Sequence, residues 1–192
     1  MRKIPIEVSA RHIHLSRPDI EVLFGKDYKL TPARFLGEPR QFAAAETVIL
    51  YTPKSAIENV RIVGPAREFT QIELARTDSF RLGIQNAPLR ASGELELDGT
   101  PGICVKSPAG EICVRQGVIV PWRHLHLNHT EALELNLEDG QMVKIRISGE
   151  RAVILENVFV RVQADFRLSL HLDTDEANAA GVVTGTEGEL AG

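Results

Sequence analysis

The chain carries one stretch of sequence twice, and that duplication restricts its fold more than any other feature. Ser-Ala-Arg-His-Ile-His-Leu-Ser at residues 9 to 16 returns as Pro-Trp-Arg-His-Leu-His-Leu-Asn at residues 121 to 128, which sets His12 and His124 112 positions apart. The same offset lays Ser16 on Asn128 and Asp19 on Glu131. A Ser or Asn cap followed three residues on by an acid satisfies free backbone N–H groups and complements the helix dipole, so each copy is expected to run from a strand into a capped helix. A second match closes each copy: Glu58-Asn59-Val60 lies 98 positions before Glu156-Asn157-Val158, and Gly83 falls on Gly181. The smaller offset means a net deletion of 14 residues in the second copy, and Thr31 to Glu46, punctuated by Pro and Gly, has no visible counterpart there.

Short segments rich in valine and isoleucine and bounded by turn residues read as strands: Ile4 to Val8, Thr47 to Tyr51, Asn59 to Val63, Met142 to Ile147 and Val158 to Val162. Helices are expected near Arg17 to Phe24, Asp78 to Leu82, Thr130 to Leu135 and Glu176 to Ala180. Regularly spaced short strands favour small barrels or sandwiches. The fold class is therefore mainly β with short helices, as two similar β-barrel halves from an internal duplication. The first repeat is placed at residues 1–87 and the second at 117–183, joined by a structured hairpin connector at 88–116. Residues 184–192 have no periodicity and are expected to form a flexible tail.

A length of 192 residues with 43% hydrophobic content suffices for a folded core. The net charge of −4 provides no broad electrostatic footprint for nucleic acid or an anionic membrane. No apolar run approaches the roughly 20 residues of a membrane helix, and no signal-peptide pattern opens the chain. A soluble, cytoplasmic protein is expected. The two cysteines, Cys104 and Cys113, sit in a hairpin-like segment with a Pro-Ala-Gly turn and could face each other across it. In a reducing compartment they read as small buried hydrophobes rather than as a disulfide or metal pair.

On an extended strand, residues i and i+2 point to one face about 6.5–7 Å apart, so His12 and His14 can aim both imidazoles at one ion while Ile13 and Leu15 pack behind. His124 and His126 repeat that pattern. One His-x-His is weak evidence of a metal, but its recurrence in register with the same neighbours favours one. A catalytic zinc usually takes three protein ligands and keeps one position open. The repeat nominates the third ligand, because Glu73 falls on His171 at the offset of 98, each on a short apolar segment before a Thr-Asp helix start. Glu and His are both competent zinc ligands, and their exchange at equivalent positions is difficult to explain as packing. Of the six histidines only His129 is then unassigned, and it is expected to be solvated in the first turn of its helix.

Arg11 and Arg123 flank the histidine pairs on the opposite strand face, a position that suits bracing. Arg67 lies six residues before Glu73 and falls on Asp165, so it breaks the symmetry. A guanidinium unique to one copy beside a metal suits an anion, since it binds phosphate oxygens bidentately.

These residues resemble the PduL-type phosphate acyltransferases, or phosphate propanoyltransferases. The likeness runs from Ile4-Pro5-Ile6-Glu7-Val8-Ser9-Ala10-Arg11-His12-Ile13-His14 through Gln71-Ile72-Glu73 and Arg76-Thr77-Asp78. It continues through Arg123-His124-Leu125-His126 to Asp173-Thr174-Asp175-Glu176-Ala177-Asn178-Ala179-Ala180-Gly181. The resemblance implies reversible transfer of a short acyl group, propanoyl or acetyl, between coenzyme A and inorganic phosphate. It implies two β-barrel halves binding two zinc ions per chain, and a homodimer. His12, His14 and Glu73 would hold one zinc, His124, His126 and His171 the other, and Arg67 would bind phosphate as a catalytic residue. Val8, Ser9, Ala10, Arg34, Arg61 and Asn178 would line the coenzyme A site. Packaged members tend to carry an N-terminal extension, whereas the first motif strand here begins at Ile4, so the cytoplasm is expected in preference to a microcompartment lumen. Trp122 stands where a small residue is more usual in the family.

The residues leave two other readings open. In a two-metal hydrolase, zinc-bound water would replace phosphate as nucleophile; in a structural protein, zinc would only lock the fold.

Overall fold

The computed structural model describes residues 2–37, 40–94 and 96–191. The first part of the chain forms β1 (Ile4–Ser9), β2 (His12–His14), α1 (Arg17–Phe24), β3 (Pro32–Phe35), β4 (Phe42–Tyr51), β5 (Ala56–Gly64), β6 (Gln71–Glu73) and α2 (Arg76–Leu82). A middle stretch gives β7 (Leu89–Arg90), β8 (Ile103–Lys106), β9 (Glu111–Val114) and β10 (Val118–Pro121). The remainder forms β11 (His124–Leu127), α3 (His129–Leu135), β12 (Met142–Ile147), β13 (Val153–Val162), β14 (Ser169–Asp173), α4 (Thr174–Ala180) and β15 (Glu187–Leu190).

The strands build two barrel-type halves. One is a closed barrel in the order β1, β14, β11, β13, β12, β15. The other is a curled, open sheet in the order β7, β10, β6, β2, β5, β4, β8, β9, with β3 added on β4. Each half has its own core. Ile13, Leu15, Ile20, Leu50, Ile62 and Ile72 are among the buried residues of the open half. Ile4, Ile6, Leu125, Ile145, Val160 and Leu170 are among those of the barrel. The alternation in β12, with Val143, Ile145 and Ile147 buried between exposed neighbours, shows how a period of two selects the inward face.

The duplication holds at the level of strand register. His12 pairs with Arg61 in a parallel ladder and with Glu73 in an antiparallel one; His124 pairs with Phe159 and His171 in the same senses. Asn59 and Asn157 both take left-handed φ values, 56° and 53°. Gly83 and Gly181 end α2 and α4 at φ 78° and 66°, conformations that cost glycine little.

The compact units cross the linear repeat boundaries. Met1–Ala10 joins Trp122–Gly192 in one unit, and Arg11–Leu36 with Arg40–Pro121 forms the other. The cause is an exchange of leading strands. β1 opens the first copy but runs parallel to β14, with Ile6 opposite Leu170. β10, its counterpart, runs parallel to β6, with Val118 opposite Ile72.

Two expectations need correction. The tail expected to be flexible forms β15, whose backbone pairs with β1 and β12 and closes the barrel; Gly192 lies outside the described residues. Cys104 and Cys113 form a disulfide across the β8–β9 hairpin, with Cys104 half-buried and Cys113 exposed. They stand directly opposite in the antiparallel ladder, a placement that outweighs the compartment argument. Among the described residues no helix is long and apolar enough to cross a membrane.

Candidate metal centres and their polar surroundings

Both histidine pairs lie on three- or four-residue strands that end at a helix cap. Ser16 accepts the N–H of Asp19 at the start of α1, and Asn128 forms a reciprocal capping box with Glu131 at α3. Asp173 and Glu176 form another at α4. These caps end each strand immediately after its histidines and so fix where they stand. Arg11 and Arg123 brace the arrangement from the side. Arg11 reaches both carboxylate oxygens of Asp78 at 3.1 and 3.2 Å, and the equivalent pair, Arg123 112 positions on and Glu176 98 positions on, meets at 3.1 Å. His129 is exposed.

In the open half, His12, His14, Gln71 and Glu73 form a two-by-two block across β2 and β6, with His12 opposite Glu73 and His14 opposite Gln71. The fully buried Ile13 and Ile72 point the other way and hold the register; truncating either to Ala would cost about 2–5 kcal/mol. Glu73 Oε2 lies 3.5 Å from His12 Nε2, and Glu73 Oε1 lies 3.4 Å from His14 Nε2. His14 Nδ1 donates to the Val63 carbonyl at 3.1 Å, which leaves Nε2 as the lone-pair nitrogen facing Glu73. Burial is the largest influence on His14 and, with His12 and Arg67, outweighs Glu73 to lower it to about 4. Burial alone would raise the Glu73 carboxyl. His12, His14 and a hydrogen bond from Ser92 outweigh it and hold Glu73 well below the ordinary carboxylate range.

In the barrel, His124, His126 and Ser169 with His171 make the equivalent block. The three imidazole centroids lie 4.4 to 4.8 Å apart. His124 Nδ1 donates to the Trp122 carbonyl at 2.7 Å, which turns its Nε2 outward as a donor atom. Ser169 Oγ lies 2.9 Å from His171 Nε2, and the Phe166 ring stacks on His126 at 3.8 Å. Burial first, then His171 and His124, keep His126 far below its ordinary value and hence neutral. The Trp122 ring itself packs against Phe159, with centroids 6.1 Å apart.

The donor sets suit a divalent ion. In each trio the candidate ligand atoms lie within 4.8 Å of one another. Donors about 2.0–2.1 Å from a tetrahedral zinc stand roughly 3.4 Å apart. The gaps from Glu73 to His12 and His14 match that edge. A neutral His14 beside an ionised Glu73 in one trio, and a neutral His126 in the other, are the protonation states that zinc requires.

Arg67 stands beside the first trio. Its N–H donates to the Leu15 carbonyl at 2.9 Å, and its guanidinium donates to Gln71 Oε1 at 3.2 Å and to Ser92 Oγ at 3.5 Å. Ser92 in turn donates to Glu73, so guanidinium and carboxylate are joined through one hydroxyl. Sequence reasoning did not single out Gln71 or Ser92 as site residues. Gln71 was discoverable, two positions before Glu73 on the same strand face; Ser92 comes from the connector and carries no local signal.

The six residues expected at a coenzyme A site fall in both units. Val8 and Ser9 end β1 opposite Leu172 and Asp173, Ala10 follows exposed, and Asn178 is exposed on α4, which packs on β1. Arg34 and Arg61 pair with β4 from either side, opposite Ala43 and Thr47. Arg34 is exposed, and Arg61 donates to the Ala44 and Ala45 carbonyls at 2.7 and 3.1 Å.

Comparison with known proteins gives a consistent result. The profile of a family described as phosphate propanoyltransferase matches residues 5–183. A phosphate propanoyltransferase of Thermotoga maritima is 49% identical over 189 residues, 96% of this chain and 89% of that protein. One from Salmonella typhimurium is 49% identical over 181 residues, covering 94% and 84% of the two chains. One from Leptotrichia buccalis is 43% identical over 185 residues, covering 96% and 86%.

Proposed function

Because the chain belongs to the phosphate propanoyltransferase family, and is thereby a phosphate acyltransferase, we propose that it moves a propanoyl or acetyl group reversibly between coenzyme A and inorganic phosphate. The observation that carries the chemical reading is Arg67, a guanidinium linked through Ser92 to the buried carboxylate of a His-His-Glu trio. It sets an anion-binding fork beside a metal donor set.

We assign one zinc to His12, His14 and Glu73 and a second to His124, His126 and His171. When bound, zinc supplies Lewis-acid polarisation of the thioester carbonyl and charge neutralisation for phosphate. The chain's own residues do the rest. Arg67 binds and orients phosphate, its charge offsetting that of the attacking oxygen. Val63 and Trp122 hold two histidines in the tautomer that leaves Nε2 open. Val8, Ser9, Ala10, Arg34, Arg61 and Asn178 are assigned to coenzyme A. In the reaction a phosphate oxygen forms a bond to the acyl carbon, the C–S bond breaks, and coenzyme A leaves as thiolate. No acyl-enzyme is required. A homodimer in the cytoplasm is the proposed working form.

The test is release of coenzyme A from acetyl-CoA and propanoyl-CoA by metal-replete protein, with and without phosphate, repeated on His124→Ala. Release that needs phosphate and is lost in the folded variant supports the assignment. Phosphate-independent release points to a hydrolase, and no release in either buffer to a structural role for the metal.

A further inference from the structure

The two copies differ at three equivalent positions around otherwise matching blocks: Arg67, Gln71 and Glu73 in the first stand where Asp165, Ser169 and His171 stand in the second. Glu73 and His171 are accounted for as alternative ligands. Arg67 and Gln71 change together, and they touch. Gln71 is wholly buried, and its Oε1 accepts from Arg67 Nη1 at 3.2 Å and from the Gly93 backbone N–H at 2.8 Å. Both partners are donors, so the atom between them is the oxygen, and the orientation of the carboxamide is settled by chemistry. Gln71 Nε2 then points away from both, and it is buried with no hydrogen-bond partner among the described residues. A buried amide N–H without an acceptor is costly and uncommon in a finished structure. At the equivalent position in the second copy, Ser169 bonds its own neighbour His171.

We propose that Gln71 belongs to the phosphate site, its carboxamide oxygen positioning the Arg67 guanidinium and its carboxamide N–H donating to the same bound phosphate. Gln71 shares a strand face with Glu73 and faces His14 across the ladder, so its carboxamide lies beside the donor trio, next to the guanidinium that it holds. A tetrahedral anion offers enough oxygens for a guanidinium fork and an amide donor together. The assignment rests on the phosphate acyltransferase reading above.

The test uses zinc-replete Gln71→Met, which keeps the length of the side chain without either polar atom, and Gln71→Glu, which keeps the acceptor and loses the donor. Loss of the donor to the anion, joined in Gln71→Met by loss of the grip on the guanidinium, is expected to raise the KM for phosphate by about tenfold or more in both variants. The KM for propanoyl-CoA should stay within about twofold, because no group touching that substrate is altered. Zinc content per chain should match the unaltered protein, and the rise in melting temperature that inorganic phosphate gives the unaltered protein should be lost. If Gln71→Met does not fold, Gln71→Glu decides alone. An unchanged phosphate KM, a parallel rise in both KM values, or loss of zinc overturns the proposal while leaving the reaction intact. Unaltered protein that releases coenzyme A without regard to phosphate overturns the reaction and the proposal together.

Discussion

Replacing Glu73 by Gln separates a metal ligand from a structural carboxylate, because the two roles predict different dependences of stability on zinc. Glu73 is 4% exposed and provides the one anionic donor of its trio, 3.4 and 3.5 Å from the two imidazole nitrogens. Gln has nearly the same shape and can still accept from Ser92, so the metal-free fold should be little affected, within about 1 kcal/mol. Zinc binding should suffer far more. Outer partners of a zinc ligand are worth about 10–100-fold in affinity, so loss of an anionic ligand itself should cost on the order of 100-fold or more. At fixed free zinc, 100-fold is about 2.7 kcal/mol of lost stabilisation, or roughly 5–10 °C in the melting temperature of a chain this size. The assay is thermal unfolding of both proteins with chelator and with buffered zinc, alongside metal analysis. The expected result is similar melting temperatures in chelator, a much smaller zinc-induced rise in Glu73→Gln, and about one zinc per chain where the parent holds two. An equal drop with and without zinc would show that the carboxylate is structural and refute the ligand assignment.

Two further outcomes follow from side chains outside the trios. Burial first, then the charge of Asp173, push Glu176 up to about 7 despite Arg123. Folded protein therefore holds a proton that the unfolded chain has released between about pH 4.5 and 7. Stability should fall across that window by up to about 3 kcal/mol, and Glu176→Gln should flatten the slope in urea unfolding at pH 5, 6 and 7; an identical slope in the variant would count against the shifted carboxyl. The Cys104–Cys113 disulfide closes a loop of 9 residues in sequence separation, so reduction should destabilise the unit carrying it by at most about 2–3 kcal/mol. Dithiothreitol should lower the first unfolding transition while Cys104→Ser/Cys113→Ser becomes insensitive to it, and an unshifted transition in the parent would rule out a stabilising bridge.

The parts of the fold written in local chemistry were the legible ones. Ser16, Asn128 and Gly83 mark helix ends through groups that satisfy the nearest backbone, and the structure has helices where they indicate. The trios were legible because duplication turned a weak motif into an alignment: Glu73 and His171 share no residue type, but share a register. What remained hidden depends on pairing between distant strands. β1 and β10 are both short strands with buried apolar residues, so nothing in either states which sheet it joins, and the exchange of leading strands follows only from the assembled ladders. β15 consists of Glu-Gly-Glu-Leu, whose side chains bury little; its place is determined by the unpaired backbone edges of β1 and β12. Cys104 and Cys113 are bonded because the hairpin sets them directly opposite each other, a proximity between strands that compartment alone does not reveal.

The duplication also explains how two sites so alike can differ in charge. Their geometry is set from behind, by Ile13 and Ile72 in one half and Leu125 and Leu170 in the other, all fully buried and all in directly opposed pairs. Those apolar pairs fix the register, since a slip by one residue would turn the histidines into the core and the isoleucines out. With the backbone held from that side, the corner residues facing the ion can change without disturbing the fold. One block accordingly presents two imidazoles, a carboxylate and an amide that grips a guanidinium, while the other presents three imidazoles and a hydroxyl. A divalent ion in the first would keep one unit of positive charge, with Arg67 alongside, and in the second it would keep both. The same scaffold thus sets two electrostatic environments through substitutions at 67, 71 and 73, which is why changes there should alter ligand affinity before they alter folding.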